Sequence, residues 1–300
     1  MKQVSFSGLV NFGTGLLFGV FVLSQLSFSP DDPNGHRDFN EWHAPVVPDK
    51  FEFAGEQVPL QVWDVRERFD RELLFNYYWQ NNIFYLLKLA NRYFPVIEAR
   101  LKANGVPDDF KYLCIAESNL MPNATSSSGA VGFWQFLRGT APQYQLEVNS
   151  QVDMRRELLA STDAACKYLK EAYSKFGSWT AAAAAFNCGQ GGYQAQASIQ
   201  RTHNYYDLLL PEETNRYIFR ILAFKYIMEN AEDLGFSLKP GDLYQPIRTR
   251  SVVVNETVPD LVQFAIAHGT NYKTLRLLNP WIRSRSLVVK GRSYVIQLPL

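Results

Sequence analysis

From Trp63 onward the apolar residues of this chain return at helical spacing and almost nowhere alternate, and this periodicity restricts the fold more than any other feature. Phe69, Leu73 and Leu74 are followed by Phe84, Leu86, Leu87, Leu89, Tyr93, Phe94, Val96, Ile97 and Leu101 on the faces of helices that stop at Asn104-Gly105. Pro107 with Asp108 and Asp109 then opens a new helix, its acidic groups on the positive end of the dipole, running from Phe110 to Glu117. Arg155 to Phe176 is helical by period. Trp179 opens an alanine run, Ala181 to Ala185, whose small side chains allow close packing against a neighbour. Glu212 to Leu234 reads as a last long helix ended by Gly235. The fold class is therefore mainly α.

The texture changes after Lys239-Pro240-Gly241. Ser251 to Asn255 reads as a strand, Asp260 to His268 and Tyr272 to Leu278 as short helices, and Ser293 to Leu298 as a closing strand, a small α+β module. Upstream, Gly8 to Phe28 is an uncharged, largely apolar stretch, and about 20 such residues suffice to span a bilayer. Ser27-Phe28-Ser29 offers small residues for a signal peptidase, but Pro30 follows directly, so an uncleaved anchor is favoured over a removed signal. Residues 30–59, with Pro30, Pro33, Pro45 and Pro48, read as an extended linker. The expected organisation is thus an anchor or signal over 1–29, a linker over 30–59, a helical domain over 60–238 and the module over 250–300.

Charge excludes one class of partner. Lys and Arg total 30 against 29 Asp and Glu, so no excess of cations stands ready to neutralise a phosphate backbone, and nucleic acid is not expected. Cys114, Cys166 and Cys188 lack metal-ligand spacing; they read as small buried hydrophobes, with a bridge from Cys114 or Cys166 to Cys188 as the alternative.

Glu117 taken alone would be an ordinary solvated glutamate. Its setting differs: Tyr112 to Ala116 are almost entirely apolar, so the helix is buried and a carboxyl at its mouth is partly desolvated. Desolvation disfavours the charged form and raises the pKa toward the range useful to a general acid. Beyond it come Gly129-Ala130-Val131-Gly132-Phe133-Trp134-Gln135-Phe136, then Ala185-Phe186-Asn187-Cys188-Gly189, then Glu212-Glu213-Thr214-Asn215-Arg216-Tyr217-Ile218. In order and spacing these motifs resemble the lytic transglycosylases related to goose-type lysozyme, glycoside hydrolase family 23, and within them the membrane-bound murein transglycosylase D group. The resemblance covers roughly Trp63 to Leu234.

It implies a lysozyme-like fold and a single catalytic acid/base, Glu117, with Ser118 beside it. It implies substrate contacts at Ser118, Ser126, Gly132, Gln135 and Asn187, and a second catalytic group in Tyr217, whose hydroxyl would lie near the glutamate. Gln135 and Asn187 could equally satisfy buried backbone groups, and Tyr217 could equally be core. Phe186 stands where the family has tyrosine. The terminal module resembles a LysM domain, implying contact with N-acetylglucosamine-containing glycans, although Val258-Pro259-Asp260-Leu261 replaces the usual signature. The implied reaction cuts peptidoglycan between N-acetylmuramic acid and N-acetylglucosamine, forms a 1,6-anhydro sugar, and needs neither metal nor cofactor. The implied place is the periplasmic face of a bacterial membrane in the cell envelope. A hydrolytic muramidase and a non-catalytic wall-binding scaffold are the competing readings.

Overall fold

A computed structural model describes residues 44–300. The segment expected as an anchor, and the linker as far as residue 43, lie outside the described residues. Among the described residues no helix is long and apolar enough to cross a membrane.

Two hydrophobic cores organise the described residues. The larger is helical: α1 (Trp63–Tyr77), α2 (Gln80–Asn104), α3 (Phe110–Ser118), α4 (Leu158–Phe176), α5 (Trp179–Cys188), α6 (Gln190–Gln200) and α7 (Glu212–Glu229). The stop after α2 falls at Gly105, whose φ of 68° is the left-handed conformation that glycine adopts without steric cost. α5 carries the alanine run. All five alanines are buried, and the helix packs against α4, α6 and α7. α7 ends at Glu229, five residues short of the expected Leu234, where Asn230 turns its side-chain amide back onto the Tyr226 carbonyl at 2.8 Å.

Residues 44–59 depart from the expected extended spacer. Glu52–Phe53 (β1) and Glu56–Gln57 (β2) form a tight hairpin whose Phe53 is buried against Phe110, ring centroids 5.3 Å apart. The hairpin also supplies a helix cap across the fold. The Glu56 carboxylate accepts hydrogen bonds from the Trp179 and Thr180 amides, at 2.6 and 2.9 Å, and from the Ser178 and Thr180 hydroxyls, at 2.8 and 2.7 Å. These satisfy the otherwise orphaned N–H groups of α5 with a negative charge on its positive end. Asp109 is likewise diverted: instead of capping α3 it binds the Ala54 amide and the Lys225 ammonium, both at 2.7 Å. Replacing Glu56 by alanine is expected to cost about 2 kcal/mol through the lost cap and unsatisfied donors. For a protein of this size that is a melting temperature lower by about 4–8 °C, read by circular dichroism.

The smaller core belongs to the C-terminal module. β3 (Thr249–Val254) pairs antiparallel with β4 (Tyr294–Pro299), Val252 opposite Ile296, and α8 (Leu261–Ala267) and α9 (Tyr272–Leu278) lie between them in sequence. Asp260, in the divergent stretch, caps α8 by accepting from the Val262 and Gln263 amides at 2.7 and 3.3 Å. Val152, more than a hundred residues away in sequence, is buried in this second core.

Candidate active site

α3 is buried around most of its circumference, with Leu113, Cys114 and Ile115 fully enclosed. Its last turn delivers Glu117 and Ser118 to the rim of a cavity of about 450 Å³. Asn119, at a φ of 51°, ends the helix and turns the chain into the loop that forms the opposite wall. That wall includes Ala124, Ser126 and Gln135; Trp79 from the start of α2 and Arg220 from α7 complete it.

Glu117 keeps a partly exposed face toward the cavity, but protein packed around its carboxyl makes burial the dominant influence, and its pKa is pushed up from 4.5 to about 7. The hydrogen bond donated by the Tyr217 hydroxyl and the positive charge of Arg220 pull the other way, while Glu213 adds to the rise. Tyr217 sits buried one hundred positions along, on α7, and its hydroxyl meets Oε1 of Glu117. Among the residues lining the cavity Glu117 is the one carboxylate. Glu72 lies buried nearby, but it is held by Arg216 at 2.6 Å. Changing Tyr217 to phenylalanine removes a bond that favours ionisation. The Glu117 pKa is therefore expected to rise, read as a carboxyl titration by carbon-13 NMR; no change would mean that the bond does not govern the group.

The other residues singled out in the sequence occupy distinct places. Ser118 is buried at the cavity wall, and its hydroxyl donates to the Phe133 carbonyl at 2.8 Å and the Cys114 carbonyl at 3.2 Å, tying α3 to the facing loop. Ser126 lines the cavity and accepts from the Ala130 amide at 3.1 Å. Gln135 also lines it, in a left-handed conformation at φ 49°, its Nε2 donating to the Gly132 carbonyl at 2.8 Å and the Ala124 carbonyl at 3.3 Å. Gly132 is not part of the lining. Its close backbone approach is to the carbonyl of Arg155 within the chain, which a β-carbon would meet at 1.8 Å. Asn187, at the end of α5, accepts from the Thr214 hydroxyl at 2.9 Å and so joins α5 to α7 outside the Glu117 cavity lining. Phe186 packs edge-on against Tyr168, at 5.0 Å, and against Phe136, at 5.9 Å. All three cysteines are free, Cys114 and Cys166 buried and Cys188 less so.

Several lining residues escaped the sequence reading, Trp79 and Arg220 among them. Trp79, half exposed, lines the same cavity as Glu117. Arg220 is held by Glu213 at 3.0 Å and Glu72 at 3.9 Å. It stands one helical turn beyond Tyr217, and that spacing was the signal available in the sequence. A larger depression, about 580 Å³, lies toward the other end of α1 beside Trp63, Arg68 and Leu209, apart from this constellation.

Residues 94–209 match the family "Transglycosylase SLT domain", and residues 250–300 match "Soluble lytic transglycosylase C-terminal LysM-like domain". The chain therefore carries an SLT-type transglycosylase domain followed by a LysM-like domain. It is related to the membrane-bound lytic murein transglycosylase D of Escherichia coli strain K12, being 28% identical over 212 residues that make up 69% of this chain and 46% of the relative. A putative tributyltin chloride resistance protein of an Alteromonas species is 27% identical over 103 residues, 34% of this chain and 50% of that one. The chain spans about half the length of these curated relatives. Among solved structures, the 70 kDa soluble lytic transglycosylase of Escherichia coli aligns with a TM-score of 0.41 and 17% identity, covering 59% of this chain and 33% of that one.

Proposed function

We propose that this protein is a lytic transglycosylase that cleaves peptidoglycan strands between N-acetylmuramic acid and N-acetylglucosamine, with Glu117 as its one acid/base group. The observation that carries the reading is a single carboxyl, with its pKa raised by burial to about 7, facing a cavity in which no second carboxylate appears among the lining residues. Glycosidases that use two carboxylates place them on both sides of the scissile bond. One carboxyl can serve both roles in turn when the nucleophile belongs to the substrate.

Protonated Glu117 gives its proton to the glycosidic oxygen as the bond to C1 of N-acetylmuramic acid breaks. The resulting carboxylate then takes the proton of the C6 hydroxyl of the same sugar, whose oxygen closes onto C1. The product is a 1,6-anhydro ring, Glu117 ends protonated as it began, and no water is consumed. Tyr217 occupies Oε1, which leaves Oε2 to carry the proton. Arg220 favours the carboxylate formed midway. Ser126, Gln135 and Trp79 line the cavity, and a hydroxyl, an amide and an indole are groups suited to a sugar.

The setting that fits this chemistry is the cell envelope, on the periplasmic face of a membrane, with the apolar run Gly8 to Phe28 as the tether. The test is release of soluble fragments from dye-labelled sacculi by the full chain. Release supports the reading; binding to sacculi without release would replace it with a wall-binding scaffold.

A further inference from the structure

The LysM-like module is joined to the helical part at one particular loop, residues 147–156, and that loop leads directly to the wall of the Glu117 cavity. On the module side, the Asp153 amide donates to the Trp281 carbonyl at 2.8 Å and the Arg283 amide to the Gln151 carbonyl at 2.7 Å, so Val152 and Ile282 form an antiparallel bridge. Both side chains are buried in the module's core. At the rim, Glu147 takes Arg292 at 2.7 Å and the Tyr294 hydroxyl at 2.9 Å. This is sheet-like pairing with apolar burial, not a flexible tether.

On the cavity side, the Asp153 carboxylate grips the buried Arg155 guanidinium through two bonds, both 2.8 Å. The remaining Nη1 of Arg155 donates to the Phe136 carbonyl at 3.0 Å and the Gly129 carbonyl at 3.2 Å, the two ends of the loop that contains Gly132 and Gln135. Arg156 reaches the Asn123 side chain at 2.8 Å. The Arg155 carbonyl fills the space above Gly132. The bonds from Arg155 to Asp153 and to the Phe136 carbonyl are buried and charge-assisted, and rigid links of this kind transmit position.

We infer that the C-terminal module braces the substrate loop 122–136, with Arg155 as the positioning residue through which docking at Val152 and Ile282 sets the placement of Ser126 and Gln135. In its activity arm the inference rests on the reading of the cavity given above. Its structural arm does not.

The experiment uses the full chain and compares wild type with Ile282→Asp, which puts a charge into the joint, with Ile282→Val, which keeps it apolar, and with Arg155→Lys, which keeps the charge but loses the fork. Amide hydrogen exchange at residues 124–136 is expected to accelerate about tenfold or more in Ile282→Asp and Arg155→Lys, with α4 unchanged and Ile282→Val like wild type. On a soluble peptidoglycan fragment KM should rise about tenfold with a smaller change in kcat, whereas general destabilisation would lower the active fraction and leave KM alone. Unchanged exchange at 124–136 in Ile282→Asp, while residues 281–289 open, would overturn the inference. If that variant fails to fold, unchanged exchange in Arg155→Lys does the same. A wild type without turnover would count against the catalytic reading and leave the exchange comparison decisive for the brace.

Discussion

Glu117→Gln is expected to lower the turnover of peptidoglycan by about 100- to 10,000-fold, the contribution of a positioned acid/base, while the fold stays intact. The amide has the shape of the acid and can still accept from Tyr217, but it has no proton to give to a leaving oxygen. The same variant carries a stability signature. Because the native carboxyl holds its proton up to about pH 7 and the unfolded one only to about 4.5, the native state binds more protons between those values, and stability falls as pH rises through the window. The wild type therefore carries the full penalty above pH 7 and none of it below pH 4.5. Glutamine never carries it. By linkage the difference is about 3 kcal/mol, so Glu117→Gln should melt higher than wild type by roughly 6–12 °C at pH 8 and at the same temperature as wild type at pH 4. In the wild type, activity that needs protonated Glu117 should decline as pH rises through about 7.

The second large effect is expected at Gly132. An added β-carbon would lie 1.8 Å from the Arg155 carbonyl oxygen and 2.6 Å from its carbon, on a residue whose φ of +88° already disfavours a side chain. The obstacle is main chain, and Arg155 is pinned by Asp153, Gly129 and Phe136, so relief requires moving the loop. Gly132→Ala should cost about 3 kcal/mol or more, a fall in melting temperature of roughly 6–12 °C or greater, with activity falling as Gln135 is displaced. Gly129→Ala is the internal control. Its φ is +77°, but no atom lies within 4 Å of the new carbon, so only the backbone term of about 1–2 kcal/mol applies.

The helices announced by period and punctuation, α2 with its Gly105 stop and α5 with its alanines, were legible because local preference and burial agree there. The elevated Glu117 pKa was legible for a related reason: a helix apolar on all sides can only be buried. α6 was not, since Gly191, Gly192 and glutamines scattered along it mask a helix whose buried residues are Tyr193 and Ala197. The hairpin at 52–57 was hidden in a proline-rich stretch, because the partners of Glu56 lie more than 120 positions away. Gln135 and Ser118 were legible as motif residues, whereas the carbonyls they hold were not, since a side-chain amide or hydroxyl does not announce its partner. Val152 is the extreme case: a valine in a largely polar loop gives no sign that it completes the core of another module.

In the proposed reaction one carboxyl, Glu117, cuts the strand by turning the substrate's own hydroxyl onto C1. The most direct measurement is mass spectrometry of the muropeptides released from purified sacculi by the wild type and by Glu117→Gln. The wild type is expected to release 1,6-anhydro-muramyl ends and the variant none. Reducing ends from the wild type, or anhydro ends persisting in the variant, would contradict the proposed reaction.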